Sequence, residues 1–272
     1  MSADTPSARN SDDIDDARRA PALFVGHGSP MNCVADNVFT RDMHALGSTL
    51  PRPRAILVVS AHWLTRGTFV TADARPETIH DFYGFPEELD ALRYPAPGAP
   101  ELAQRVAAVT GGVVQPAPGR GLDHAAWMVL RSMYPAADVP TLEMSLDMTL
   151  SERRHYELGA RLAPLRDEGV LVIGSGNIVH NLHIVDWSED APTADWAREF
   201  DAWVRDALAE RRHKDLIDYL ERGPQARMAA PTPDHYLPLL YAVALQRPDE
   251  TVTTVHESFQ HATVSMRCAQ FG

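Results

Sequence analysis

Three nearly uninterrupted apolar runs constrain the fold of this chain more than any other feature. They are Ala22-Leu23-Phe24-Val25-Gly26, Ala55-Ile56-Leu57-Val58-Val59-Ser60-Ala61 and Val170-Leu171-Val172-Ile173-Gly174. Runs of this length without polar alternation suit strands covered on both faces, as in a parallel sheet. Helical periodicity lies between them. It is clearest at 37–50, 100–109, 125–134, 151–167, 193–212 and 234–245. Further strands are expected at 68–71, 140–146, 250–259 and 263–268, and an aromatic, proline-rich loop at 81–97. The alternation predicts an α/β fold: a single domain with a central, largely parallel or mixed sheet flanked by helices. Residues 1–20 are polar and lack an apolar core, and read as a disordered tail rather than a secretory signal.

Each apolar run leads into a histidine. His27 and His62 follow the first two runs directly, and His180 follows the third through Ser175-Gly176-Asn177-Ile178-Val179. The carboxyl ends of parallel strands face the ligand crevice of an open α/β sheet, so histidines from separate strands can converge there. His124, after Gly119-Arg120-Gly121-Leu122-Asp123, and His235, after Pro231-Thr232-Pro233-Asp234, sit at expected helix starts. Asp123 could orient His124 or cap the helix, and the Gly-Ser-Gly-Asn loop could offer backbone N–H groups to an anion. His44, His155 and His213 read as exposed helix residues, and His183 as a surface or supporting residue. His80 borders the aromatic loop; His256 and His261 flank a late strand, and one of them could face the crevice.

Imidazoles without thiolate ligands suit Zn(II) or Fe(II), and an open site suits catalysis. Several other chemistries are excluded. The chain has no Gly-x-Ser-x-Gly elbow, no His-Glu-x-x-His helix and no Gly-x-Gly-x-x-Gly fingerprint. A net charge of −12 without a basic run argues against nucleic acid. No apolar stretch reaches membrane-spanning length. The two cysteines, Cys33 and Cys268, need no disulfide framework, and a cytoplasmic location fits. Cys33 lies near His27, where either a thiolate role or ordinary packing is open.

Five ordered motifs carry a resemblance: Gly26-His27-Gly28-Ser29-Pro30, Ser60-Ala61-His62-Trp63, Leu122-Asp123-His124-Ala125-Ala126-Trp127, Gly174-Ser175-Gly176-Asn177-Ile178-Val179-His180-Asn181 and Pro233-Asp234-His235-Tyr236-Leu237-Pro238-Leu239. Together they resemble the DODA-type, LigB-like class III extradiol aromatic ring-opening dioxygenases, from Pro21 to the C-terminus. The resemblance implies one catalytic domain over 21–272 and one non-haem metal per chain, Fe(II) for activity or Zn(II) as bound. It implies insertion of O₂ into a catechol-type, DOPA-like substrate with 4,5-cleavage to a semialdehyde acid. By the same resemblance His27, His62, His180 and His235 are expected at the metal, and His124 and His180 in proton transfer. Ser29, Trp63 and Tyr236 are expected to contact substrate, with the Phe82–Phe85 loop as a further aromatic wall. The wider class III pattern is two histidines and one carboxylate; here His235 stands at the carboxylate position. Two alternatives remain at this point: a zinc-holding protein similar to the Memo group without oxygenase turnover, or a zinc hydrolase using metal-bound hydroxide. A homo-oligomer is left open.

Overall fold

The computed structural model describes residues 19–188 and 191–272. Among the described residues there are ten strands: β1 (Ala22–Gly26), β2 (Ala55–Thr65), β3 (Thr68–Thr71), β4 (Val114–Ala117), β5 (Thr141–Asp147), β6 (Val170–Gly176), β7 (Val252–His256), β8 (Phe259–Gln260), β9 (Val264–Ser265) and β10 (Cys268–Phe271). The helices are α1 (Val38–Thr49), α2 (Glu87–Ala91), α3 (Pro100–Val109), α4 (His124–Met133), α5 (Glu152–Arg161), α6 (Ala163–Asp167), α7 (Asp195–Ala209), α8 (His213–Ile217), α9 (Pro224–Ala229) and α10 (Leu237–Ala244).

Eight strands form one mixed sheet in the order β4-β3-β5-β2-β6-β1-β10-β7. Its centre, β5-β2-β6-β1, is parallel, and β10 joins β1 antiparallel. The three apolar runs are therefore adjacent strands, covered on both faces as their composition requires. Ala22, Phe24, Leu57, Val59, Val170 and Val172 face one core, with α5, α7 and α10. Leu23, Val25, Ile56, Val58, Leu171 and Ile173 face the other, with α1 and α4. Burying each such aliphatic side chain is worth about 1.5–3 kcal/mol, so this alternation sets the strand register.

Several expectations are corrected. The helix expected over 151–167 is two, α5 and α6, broken at Leu162. Pro164 lacks an N–H and its ring crowds the carbonyl of Ala160. The strand expected at 263–268 is not one element. The chain leaves the sheet after β7, makes the β8-β9 hairpin and returns as β10. Positive φ at His261 and Ala262 turns that hairpin. The 81–97 loop contains the short α2. Of the expected tail, residues 1–18 lie outside the described residues. Arg19 and Ala20 are held against the body, with the Ala20 N–H donating to the Arg166 carbonyl at 2.9 Å.

His155 is not exposed. It is fully buried between α5 and α10, with Nδ1 2.9 Å from the Tyr241 hydroxyl. His213 is half-buried, bonded to Tyr156 and Gln246. Burial pushes His155 down to about 4. An unfolded histidine titrates near 6.5, so the unfolded state binds more protons below that pH and stability falls as the pH drops. Urea melts of metal-free protein are expected to show this loss between pH 6.5 and 4, at up to about 1.4 kcal/mol per unit from this residue. His155→Gln should flatten the slope. An unchanged slope would assign the acid sensitivity to other groups.

Candidate metal centre

The parallel register places the histidines. Gly26 pairs with Gly176, and Ser175 pairs with both Val25 and Ser60, so the segments leading to His27 and His62 end at one level. The β2–β5 pairing is irregular between Val59 and Leu64, and His62 lies inside that irregularity. Such a bulge re-aims a side chain out of the strict alternation. His235 comes from the segment before α10. Its approach depends on Gly176, where a Cβ would stand 2.2 Å from the His235 carbonyl oxygen. The Asn177 N–H donates to that same carbonyl at 2.9 Å, which binds the segment to the strand end.

The result is a cluster of three ring nitrogens. The Nε2 atoms of His62 and His27 are 3.4 Å apart, and those of His235 and His62 are 3.2 Å apart. Metal–nitrogen bonds of about 2.1 Å give ligand–ligand edges of about 3.0–3.4 Å in octahedral or tetrahedral geometry, so the spacing fits a metal. The outward nitrogens settle the tautomers. The Ser175 hydroxyl donates to the Ala125 carbonyl at 2.7 Å, so its oxygen accepts from Nδ1 of His27 at 3.1 Å. The Nδ1 of His235 donates to Asp234 at 2.5 Å. Both histidines therefore turn bare Nε2 lone pairs toward the same point, an arrangement that a cation relieves. Burial first, and the neighbouring imidazoles second, hold His27 and His62 well below the usual histidine range, in the neutral ligand form. Burial raises the Asp234 carboxyl, but its bond and charge interaction with His235 leave it at about 2.

Ser175→Ala removes the acceptor that orients His27. Loss of such an outer partner costs about 10–100-fold in metal affinity, and that loss is the expected result in a chelator competition, with the fold intact. Unchanged affinity would deny Ser175 this role.

His124 stands beside the cluster, its ring centroid 4.0 Å from that of His62. Asp81 orients it: one carboxylate oxygen accepts from Nδ1 at 2.9 Å and from the backbone N–H at 3.0 Å. The other oxygen is 3.6 Å from Nδ1 of His62. Burial raises the Asp81 carboxyl, but the His124 ring and backbone more than offset this and bring it below the ordinary value. Asp81 was not singled out in the sequence, where nothing but its place before the aromatic loop marks it. Asp123 caps α4 through the Ala125 N–H and does not orient the His124 ring. It also accepts from the Ser60 hydroxyl at 2.8 Å, which in turn takes the His62 N–H at 3.0 Å. This buried bridge ties the β2 end to the start of α4.

The remaining expectations divide. His180 is not edge-on to the cluster: its ring lies flat on His235, centroids 3.5 Å apart and 7° from parallel. Burial, then His235, pushes it down to about 3. Ser29 lines the cavity, and Tyr236 and Trp63 do not. Tyr236 is fully buried, stacked on Tyr219, with its hydroxyl donating to the Leu216 carbonyl. Trp63 is buried beneath the Arg120 guanidinium. Trp63 follows His62 within β2, where successive side chains point to opposite faces, whereas Tyr236 follows His235 in the turn that opens α10 and is carried into the core with that helix. His80 bonds the Leu92 carbonyl, His256 bonds Asp42 and Ser258, and His183 is exposed. The Gly-Ser-Gly-Asn segment is no anion nest, because Ser175 and Gly176 are in β6 and the Asn177 N–H is taken. Cys33 lies outside the cavity, and burial pushes its thiol up to about 12.

The cavity above the cluster is about 620 Å³. Phe82, Tyr83 and Phe85 form one wall, Leu182 and Trp187 another, and His261 also lines it. Phe82 packs edge-on against His124. The space and its aromatic walls suit a flat ring set over the three histidines.

Comparison with known proteins agrees with this chemistry. A family model described as the catalytic LigB subunit of aromatic ring-opening dioxygenase matches residues 35–272. The matched span begins after His27, so the place of His27 rests on geometry. A protein of Escherichia coli (strain K12) named 4,5-DOPA dioxygenase extradiol is 45% identical over 96% of this chain and 98% of its own length. One of Beta vulgaris with the same name is 36% identical over 92% and 95% respectively. A crystal structure of an uncharacterized protein from Escherichia coli K12 superposes with a TM-score of 0.81, at 43% identity, over 93% of this chain and all of that one.

Proposed function

This chain belongs to the LigB family of aromatic ring-opening dioxygenases, and from that membership we propose that it opens a DOPA-like catechol at the 4,5 position, giving a semialdehyde acid. The observation that carries the reading is the convergence of ring nitrogens from His27, His62 and His235 at the floor of an aromatic-walled cavity, next to the Asp81–His124 pair. The metal would be held by those three histidines. Bound Fe(II) would supply the Lewis-acid and redox chemistry that extradiol cleavage requires.

The protein's own part is positioning and proton transfer. Phe82 and Phe85 hold the ring and keep bulk water from it. His124 has Nδ1 committed to Asp81, which leaves Nε2 to take the proton of a catechol hydroxyl and later to return it. Asp81 stabilises the imidazolium formed in between, as an orienting carboxylate does for a catalytic histidine. His180 lies flat on His235 without an orienting carboxylate, so the base role falls to His124, and His180 serves as a polar wall that fixes the His235 ring. The zinc-binding non-oxygenase and hydrolase alternatives have no such support, since the relatives bear dioxygenase names. Among the described residues no helix is long and apolar enough to cross a membrane, and the free thiols of Cys33 and Cys268 suit a reducing cytoplasm.

The test is reconstitution of metal-free protein, anaerobically, with Fe(II) or with Zn(II), then addition of DOPA in air. O₂ uptake with a yellow product from the Fe(II) sample alone is expected. No uptake across a panel of catechols with either metal would overturn the reading.

A further inference from the structure

His261 has no part in the chemistry above, yet it lines the same cavity. It sits at the tip of the β8-β9 hairpin with φ +53°, followed by Ala262 at +65°. Residues with a Cβ adopt this region only where the surrounding structure imposes it, and such residues cluster at ligand sites. The hairpin is clamped on both sides to segments of the metal centre. The Gln260 side-chain oxygen accepts from the Ser29 N–H at 3.0 Å, beside His27, and Val264 bridges to His180. The tip is also held by backbone bonds, because the Asp186 and Ala194 N–H groups donate to the His261 and Ala262 carbonyls. The position of the His261 ring is therefore fixed relative to the three histidines. Trp187 lies against it, ring centroids 5.1 Å apart.

Of the other polar side chains that line the cavity, Tyr83 is exposed to solvent and the rest have established roles. His27, His62 and His235 converge on the metal position, His124 is bonded to Asp81, His180 covers His235, and the Ser29 hydroxyl accepts the Met31 N–H. No lysine or arginine is among the described residues that line it. The Nδ1 of His261 is buried without a partner among the described residues, which leaves Nε2 as the ring nitrogen for a ligand. A substituent reaching from a ring held over the metal position toward the hairpin tip meets one imidazole donor and one indole face. We propose that His261, with Trp187, is the specificity subsite that binds a carboxylate on the catechol's side chain.

This rests on the reading of the cavity as a catechol site, and the test separates the two. Zn(II)-loaded protein is titrated, without turnover, with 3-(3,4-dihydroxyphenyl)propanoate and with 4-methylcatechol. His261→Asn, whose short amide does not reach the Nε2 position, and His261→Leu, which has no donor, are expected to weaken the propanoate by about tenfold, or 1.4 kcal/mol, and 4-methylcatechol by less than about twofold. Asparagine also tolerates positive φ, so the hairpin survives. His261→Arg keeps a donor and should retain the preference for the propanoate. Equal losses for both catechols, or wild-type affinity for the propanoate in both variants, would overturn the subsite. Selective binding by wild type and its loss in both variants, with no O₂ uptake by the Fe(II) protein, would uphold the subsite and overturn the dioxygenase reading.

Discussion

Replacing His62 with alanine is expected to leave a folded protein that neither holds metal nor opens a catechol. His62 is central to the cluster, with its Nε2 3.4 Å from that of His27 and 3.2 Å from that of His235. It is also the least buried of the three, set in an irregular stretch of β2 that faces the cavity, so its loss opens little void in the core. Outer partners of a metal ligand are worth about 10–100-fold in affinity, so removal of a ligand should cost more than about 100-fold. Metal content after dialysis, O₂ uptake and a thermal melt measure the three parts of the expectation. Retained metal with retained turnover would remove His62 from the centre. Retained metal without turnover would make it a catalytic group instead.

His124→Ala should separate binding from chemistry. The metal is expected to stay, because the three converging nitrogens remain, while kcat falls about 10²–10⁴-fold, the usual worth of a positioned acid–base group. The variant also distinguishes two ligand sets. Asp81, His62 and His124 could together hold an ion by proximity alone. Were that the working site, His124→Ala would lose metal along with turnover. Asp81→Asn should act in the same direction but more weakly, since the amide oxygen can still accept from Nδ1 of His124 while the balancing negative charge is gone. Wild-type kcat in His124→Ala would end its assignment as the base.

The strands were legible because burial on both faces demands apolar residues at every position. The runs at β1, β2 and β6 met that demand and proved to be adjacent in the sheet. The ends of these runs also announced His27 and His62. His235 was legible only as a member of a motif; what delivers it is the glycine at 176, which leaves room for a backbone at the strand end. Local patterning misled where one side chain had two plausible environments. His155 sits in a charged helix, yet the close approach of α5 to α10 at Gly159 seals it in. Tyr236 follows a site histidine and still turns into the core.

By itself the sequence determined the class of fold and the delivery of histidines to one sheet edge, because strand burial and strand ends are local matters of composition and order. Tertiary structure alone decided which nitrogens meet. The tautomer of His27 depends on Ser175, and the orientation of His124 on Asp81, 43 residues away. The face of His235 is taken by His180, and part of the cavity lining comes from a hairpin near the C-terminus. Hydrogen bonds and stacking act over about 3–4 Å between groups that the chain places far apart, and no spacing in the sequence encodes that distance.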